Sequence, residues 1–138
     1  MGASNLYKTV SDTKLLLQDN WTVNNIPQVS FAWDERTTGF MDDRKDVLIL
    51  TPTNENAQYF GMHGDDFLHS VFVSIDIHTF KGLEYHENVV NEVFRILKAN
   101  IRRTGFVDLL ITSSSSSNDM FRNIFRHNVI VQYRKLNP

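Results

Sequence analysis

Two imidazoles and two carboxylates fall within seven residues at His63-Gly64-Asp65-Asp66-Phe67-Leu68-His69. Imidazole and carboxylate are ligands that suit zinc, manganese and iron. The spacing argues against a preformed site: Gly64-Asp65-Asp66 is turn chemistry, and no helical or strand face holds both histidines. A second group joins Asp76 and His78, two apart on one strand, with His86 shortly after. A carboxylate orienting a histidine is half of a hydrolase triad. Its nucleophile would have to be Ser70, Ser74 or a member of the run Ser113–Ser117, and no G-x-S-x-G elbow is present. Asp42, Asp43, Asp46, Asp65, Asp66 and Asp76 supply the carboxylates a two-metal nuclease needs. The segment from Asp76 to Lys81 has the lysine of such a core but lacks its second acid. The six glycines are scattered and form no phosphate-binding loop. These patterns give no catalytic, cofactor-binding or metal-binding residue and no cofactor; the expectation is a protein that is not an enzyme.

The last stretch of chain carries a different kind of chemistry. Arg122, Arg126 and Arg134 fall on one face of an alternating segment, with Lys135 at its end. At a four-residue interval, side chains on a strand stand roughly 13 Å apart. Ile124 and Ile130 lie among them on the same face. Arginine mixed with aliphatic side chains is the composition of a protein–protein contact. Arg122, Ile124, Arg126, Ile130 and Arg134 are therefore the expected partner-binding residues. A protein partner is favoured over nucleic acid because the formal net charge is −2.

The elements that position these residues follow from periodicity. With 138 residues, the expectation is one domain spanning 1–138. Hydrophobic residues at 41% and charged residues at 22% match a chain that folds around a core. There is no cysteine, which removes disulfides and thiolate metal sites from consideration. Apolar runs are far shorter than the roughly 20 residues of a membrane span, so no membrane partner is expected. No basic-then-apolar secretion signal opens the sequence.

Ser4 is a candidate N-cap for a first helix with Leu6, Tyr7, Val10, Lys14 and Leu17 as its stripe, ending near Asp19–Trp21. Val29, Phe31 and Trp33 alternate as a first strand, and residues 34–46 read as an exposed loop. Val47–Leu50 reads as a short buried strand stopped by Pro52, followed by a polar, turn-rich stretch over 53–66 in which Tyr59-Phe60 adds at most a short strand. Val71, Val73, Ile75, Ile77 and Thr79 share one face of a clear strand. Val89, Val90, Val93, Phe94, Leu97 and Ile101 form a helical stripe, with Arg102 and Arg103 near its end and Gly105 as C-cap. Phe106–Thr112 is a strand candidate, and Ser113–Ser117 reads as a flexible loop. The final alternation puts Phe121, Asn123, Phe125, His127, Val129, Val131 and Tyr133 on a core face. Its length suggests a bulge near His127-Asn128. The fold class is α+β: a mixed, mainly antiparallel sheet with two helices packed on one face.

In this order and texture the chain resembles the tail-terminator and head–tail joining proteins of long-tailed, siphovirus- or myovirus-like viruses. The resemblance rests on the N-terminal helix, the strand entry Ile26-Pro27-Gln28-Val29-Ser30-Phe31 and the apolar Val47–Leu50. It continues through the strand His69–Thr79, the Val89–Ile101 helix and the closing segment Arg122–Tyr133. The serine run and the long 53–66 connection depart from that pattern. The resemblance implies a structural virion protein forming a homo-oligomeric ring, typically a hexamer, at the head-proximal end of the tail. Such a ring ends growth of the tail tube and joins tail to head. Its implied partners are further copies of itself, the tail-tube protein and the head connector, with DNA only as passing cargo. The implied location is the virion, after assembly in the host cytoplasm. Other readings are a different neck or head-completion adaptor, or a metal-dependent nuclease or hydrolase.

Overall fold

The computed structural model describes residues 2–23, 26–60, 66–100 and 108–136. The element order is α1 (Gly2–Asn20), β1 (Gln28–Phe31), α2 (Thr37–Asp42), β2 (Val47–Phe60), β3 (Asp66–Thr79), α3 (Leu83–Ala99), β4 (Asp108–Asp119) and β5 (Ile124–Leu136). The five strands form one sheet in the order β1-β2-β3-β5-β4. β1 runs parallel to β2, and every other pairing is antiparallel. This is the expected α+β class.

Alternation along β3 sorts the sheet into two faces. Val71, Val73, Ile75 and Ile77 are fully buried, as are Val129, Val131 and Tyr133, which β5 presents from the same side. Val10, Leu16 and Leu17 of α1 and Val93, Ile96 and Leu97 of α3 close over that side as one apolar cluster. Burying a Val, Leu or Ile side chain stabilises by about 1.5–3 kcal/mol each, so this layer dominates the fold. The α1 stripe is turned slightly from the expected one: Thr9 and Thr13 are buried, whereas Lys14 is only half-buried. Thr13 is accommodated because its hydroxyl bonds the Thr9 carbonyl and lies 2.6 Å from the Tyr133 hydroxyl.

Several sequence expectations are corrected. Residues 34–46 are not a plain loop but contain α2, which carries the parallel crossover from β1 to β2. Thr37 at its start lies 2.8 Å from Ser30, whose strand neighbours Val29 and Phe31 point to the opposite face. α2 thus lies on the side of the sheet away from α1 and α3. Pro52 does not end β2; the strand absorbs it with a register shift between Pro52 and Asn54 and continues to Phe60. Within the expected 53–66 connection, residues 53–60 are therefore strand paired with β3, and 61–65 lie outside the described residues. α3 ends at Ala99, where the Asn100 side chain caps the Ile96 carbonyl. The expected Ile101, Arg102, Arg103, Gly105 and Phe106 lie outside the described residues.

The serine run is strand, not loop. β4 carries Ser113–Ser117 in register with Arg126–Ile130 of β5. The bulge also falls elsewhere: β5 pairs with β3 without interruption, and the shift is in β4 between Ile111 and Ser113. Phe121 and Asn123 belong to a turn over residues 120–123, and Phe121, expected in the core, is fully exposed at 103%.

Candidate assembly interface

Register settles which side chains stand together on the face away from α1 and α3. β3 presents Phe72, Ser74, Asp76 and His78 there. β5 presents Ile124, Arg126, Asn128, Ile130, Gln132 and Arg134, and β4 presents Ser115, Ser117 and Asp119 opposite Asn128, Arg126 and Ile124. Toward β2 the face is closed: Val47 is buried, and Ser30 is buried against Thr37 of α2. Toward β4 it opens, and Arg126, Ser115 and Ser117 are exposed.

A polar ladder crosses this face. Arg126 donates two hydrogen bonds to the Asp76 carboxylate, at 3.1 and 2.8 Å. Asn128 donates to the Ser74 hydroxyl at 2.7 Å and to Asp76 at 3.3 Å, and Gln132 donates to Ser70 at 3.1 Å. His78 is buried, with its Nε2 3.6 Å from Asp76. Burial alone would raise the Asp76 carboxyl, but the hydrogen bonds from His78 and Arg126 outweigh it and hold it well below the usual carboxylate range.

The five expected partner residues are distributed as follows. Ile124, Arg126, Ile130 and Arg134 share the open face, with Ile124 and Ile130 half-buried between polar neighbours. Arg122 does not join them. It lies in the 120–123 turn, pairs with Asp119 at 3.7 Å, and its carbonyl accepts from Arg44. Neither long helix covers this face.

Of the candidate catalytic groups, Asp76 and His78 are brought together, 3.6 Å apart, and His86 does not join them. His63 and Asp65 lie outside the described residues, and Asp66 and His69 fall on β3. Asp76 and His78 face away from α3, whereas His86 sits on α3 and bonds Thr79 across the other side of the sheet at 2.8 Å. Ser70 and Ser74 serve as acceptors in the ladder. Asp46 is held by the Phe80 amide and Lys81. Among the described residues no group of three or more metal-ligating side chains is gathered. No described helix is long and apolar enough to cross a membrane.

Two features were not anticipated from sequence. The Ser114 hydroxyl lies 2.5 Å from His127 Nε2. Next to it runs a groove of about 300 Å³ between α3 and β4, lined by Leu83, His86, Glu87, Val90, Asn91 and His127 among others. His86 is 3% exposed and its Nε2 has no hydrogen-bond partner. Burial lowers the pKa of His86, helped by His127 and His78, and burial also lowers that of His127. The signal for both features was the register of the β4–β5 hairpin, hidden while the serine run read as a loop.

No protein-family model matches the chain, and no curated protein does. Among solved structures, the chain is similar to one from the virion of a native gene transfer agent particle. The two are 12% identical, with 65% of this chain and 69% of that chain covered and a TM-score of 0.48.

Proposed function

We propose that this chain is a structural virion protein that assembles with copies of itself into a ring, most simply a hexamer, at the head-proximal end of a viral tail. In this reading one ring face stops tail-tube growth and the other receives the head connector, while DNA passes through the channel. The protein works by assembly and not by catalysis. The sequence resemblance supports the tail role, and one structural observation carries the assembly.

That observation is β4. It is a twelve-residue edge strand at one end of the sheet, whereas the strand at the other end, β1, has four. An edge strand presents a row of backbone donors and acceptors to any neighbouring strand. Free monomers blunt such edges with lysine, proline or inward-pointing charge. Between Leu109 and Asn118, β4 has no charged residue and no proline, and its five serines leave the backbone sterically open. The open polar face beside it, with Ile124 and Ile130 half-buried, extends the surface a neighbour would cover.

Light scattering on the purified chain at high micromolar concentration tests this. The parent should exceed monomer mass, and Ser115→Lys, at an exposed position on that edge strand, should lower it. A parent that is strictly monomeric contradicts the reading.

A further inference from the structure

The turn between β4 and β5 carries the most exposed large apolar side chains among the described residues: Phe121 at 103% and Met120 at 62%. Isolated exposed apolar residues are ordinary. This pair differs because the backbone beneath it is held. The Asn123 amide bonds the Met120 carbonyl at 3.4 Å, and the Arg122 amide bonds Asp119 at 3.2 Å. The Asn123 side chain donates to the Phe80 carbonyl at 2.9 Å, and Arg44 donates to the Arg122 carbonyl at 2.6 Å. Asn123 takes φ 57, the left-handed region that asparagine tolerates better than most residues. Two distant segments thus fix the turn while its phenyl ring meets only water. An aromatic group held ready in this way loses little conformational freedom when it docks.

The α3–β4 groove offers the matching receptor. Leu83 and Val90 give it apolar walls, and its volume of about 300 Å³ is at the lower end of that of ligand pockets. Burial disfavours the charged form of His86 and His127 there, and Glu87 is the carboxylate among the described lining residues. Glu87 is exposed at the rim, and Arg122, next to Phe121 on the turn, is exposed as well. Asp119 pairs with Arg122, but Arg44, which bonds the Arg122 carbonyl, leaves the turn net positive, opposite in charge to Glu87 at the groove rim. The groove lies beside the turn, with Asn118 in its lining, yet Phe121 does not fill it, so a knob and groove side by side can link copy to copy.

We infer that Phe121 of one copy docks in the groove between α3 and β4 of a second copy, with Arg122 of the first facing Glu87 of the second. This rests on the assembly reading and names the contact that reading leaves open. It assigns the aromatic anchor, and central aromatic residues are what most often carry binding energy at interfaces. It also gives Arg122 a role apart from the sheet face.

The test uses the full chain, which contains no native cysteine. A Phe121→Cys chain mixed with an Asn91→Cys chain should form a mixed disulfide under mild oxidation. By light scattering, Phe121→Ser should raise the concentration needed for assembly at least tenfold. Arg122→Glu should weaken assembly, and combining it with Glu87→Arg should recover it. Because Phe121 is fully exposed, the serine variant should fold as the parent does. Unchanged assembly of Phe121→Ser overturns this contact while the assembly reading stands. A parent that remains monomeric, together with no mixed disulfide between the two cysteine variants, overturns both.

Discussion

Arg126 on β5 grips the Asp76 carboxylate on β3 with two hydrogen bonds, at 3.1 and 2.8 Å, diagonally across the face that no long helix covers. The residue best placed to greet a partner is thus already engaged within its own chain. Its side chain remains half exposed, so it can still meet a neighbour while orienting the ladder of Asp76, Asn128 and Ser74.

Removing either end of this pair should have unequal effects. Asp76→Ala takes a partner from the buried His78 and from Asn128 as well as from Arg126, whereas Arg126→Ala leaves the carboxylate with His78 and Asn128 and removes an arginine that water can solvate. Asp76→Ala should cost about 1–2 kcal/mol and Arg126→Ala less, since the exposed guanidinium is screened by solvent. Urea denaturation of both variants and the double variant checks this ordering. Equal costs would remove the special place given to Asp76.

Glu92 ties α3 to the end of α1. It is 3% exposed and accepts from Thr22 N at 2.6 Å, Thr22 Oγ1 at 2.8 Å and Arg95 Nε at 2.5 Å, while Arg95 also donates to the Asn20 carbonyl. The Arg95 hydrogen bond leads in lowering its pKa to about 2, against a usual 4.5. A depressed carboxylate stabilises the fold above its unfolded pKa and stops doing so as pH falls through the folded one. Stability should therefore drop between about pH 4.5 and 2, and Glu92→Gln should flatten that drop while costing roughly 1–3 kcal/mol at neutral pH. Thermal unfolding across that range provides the measurement.

His86 and His127 shift in the other direction of charge. Both are lowered, chiefly by burial, so the unfolded chain takes up protons that the folded chain resists. Stability should fall as pH drops below the ordinary histidine pKa of about 6.5. The facing groups are Thr79 on β3, which bonds His86, Ser114 on β4, which bonds His127, and Glu87 at the groove rim. A His86→Gln, His127→Gln double variant should lose the dependence between pH 5 and 7, seen as a constant melting temperature. A parent whose melting temperature is already constant over that range would contradict the burial argument.

How far the sequence revealed this molecule depended on whether hydrophobicity alternated. Val71 to Thr79 were readable because one side packs on two helices and the other carries the polar ladder. The β4 strand was not, because a run of serines has no alternation and its strand form comes from pairing with β5. The opposite error occurred at Phe121, where alternation continues through a turn and gives no sign that the chain reverses. Pro52 misled because a register shift accommodates what would otherwise break a strand. Of the expected partner residues, Ile124, Arg126, Ile130 and Arg134 were grouped correctly by their period of two. Arg122 fell outside because the turn lies between it and the strand. The α3–β4 groove depended on tertiary register and had no sequence signature.

Electron microscopy of the purified chain, alone and mixed with tail tubes, tests the central claim most directly. The account predicts closed rings of uniform diameter, seated on one end of the tubes when tubes are present. Dispersed monomers under both conditions, with tube ends left bare, would contradict it.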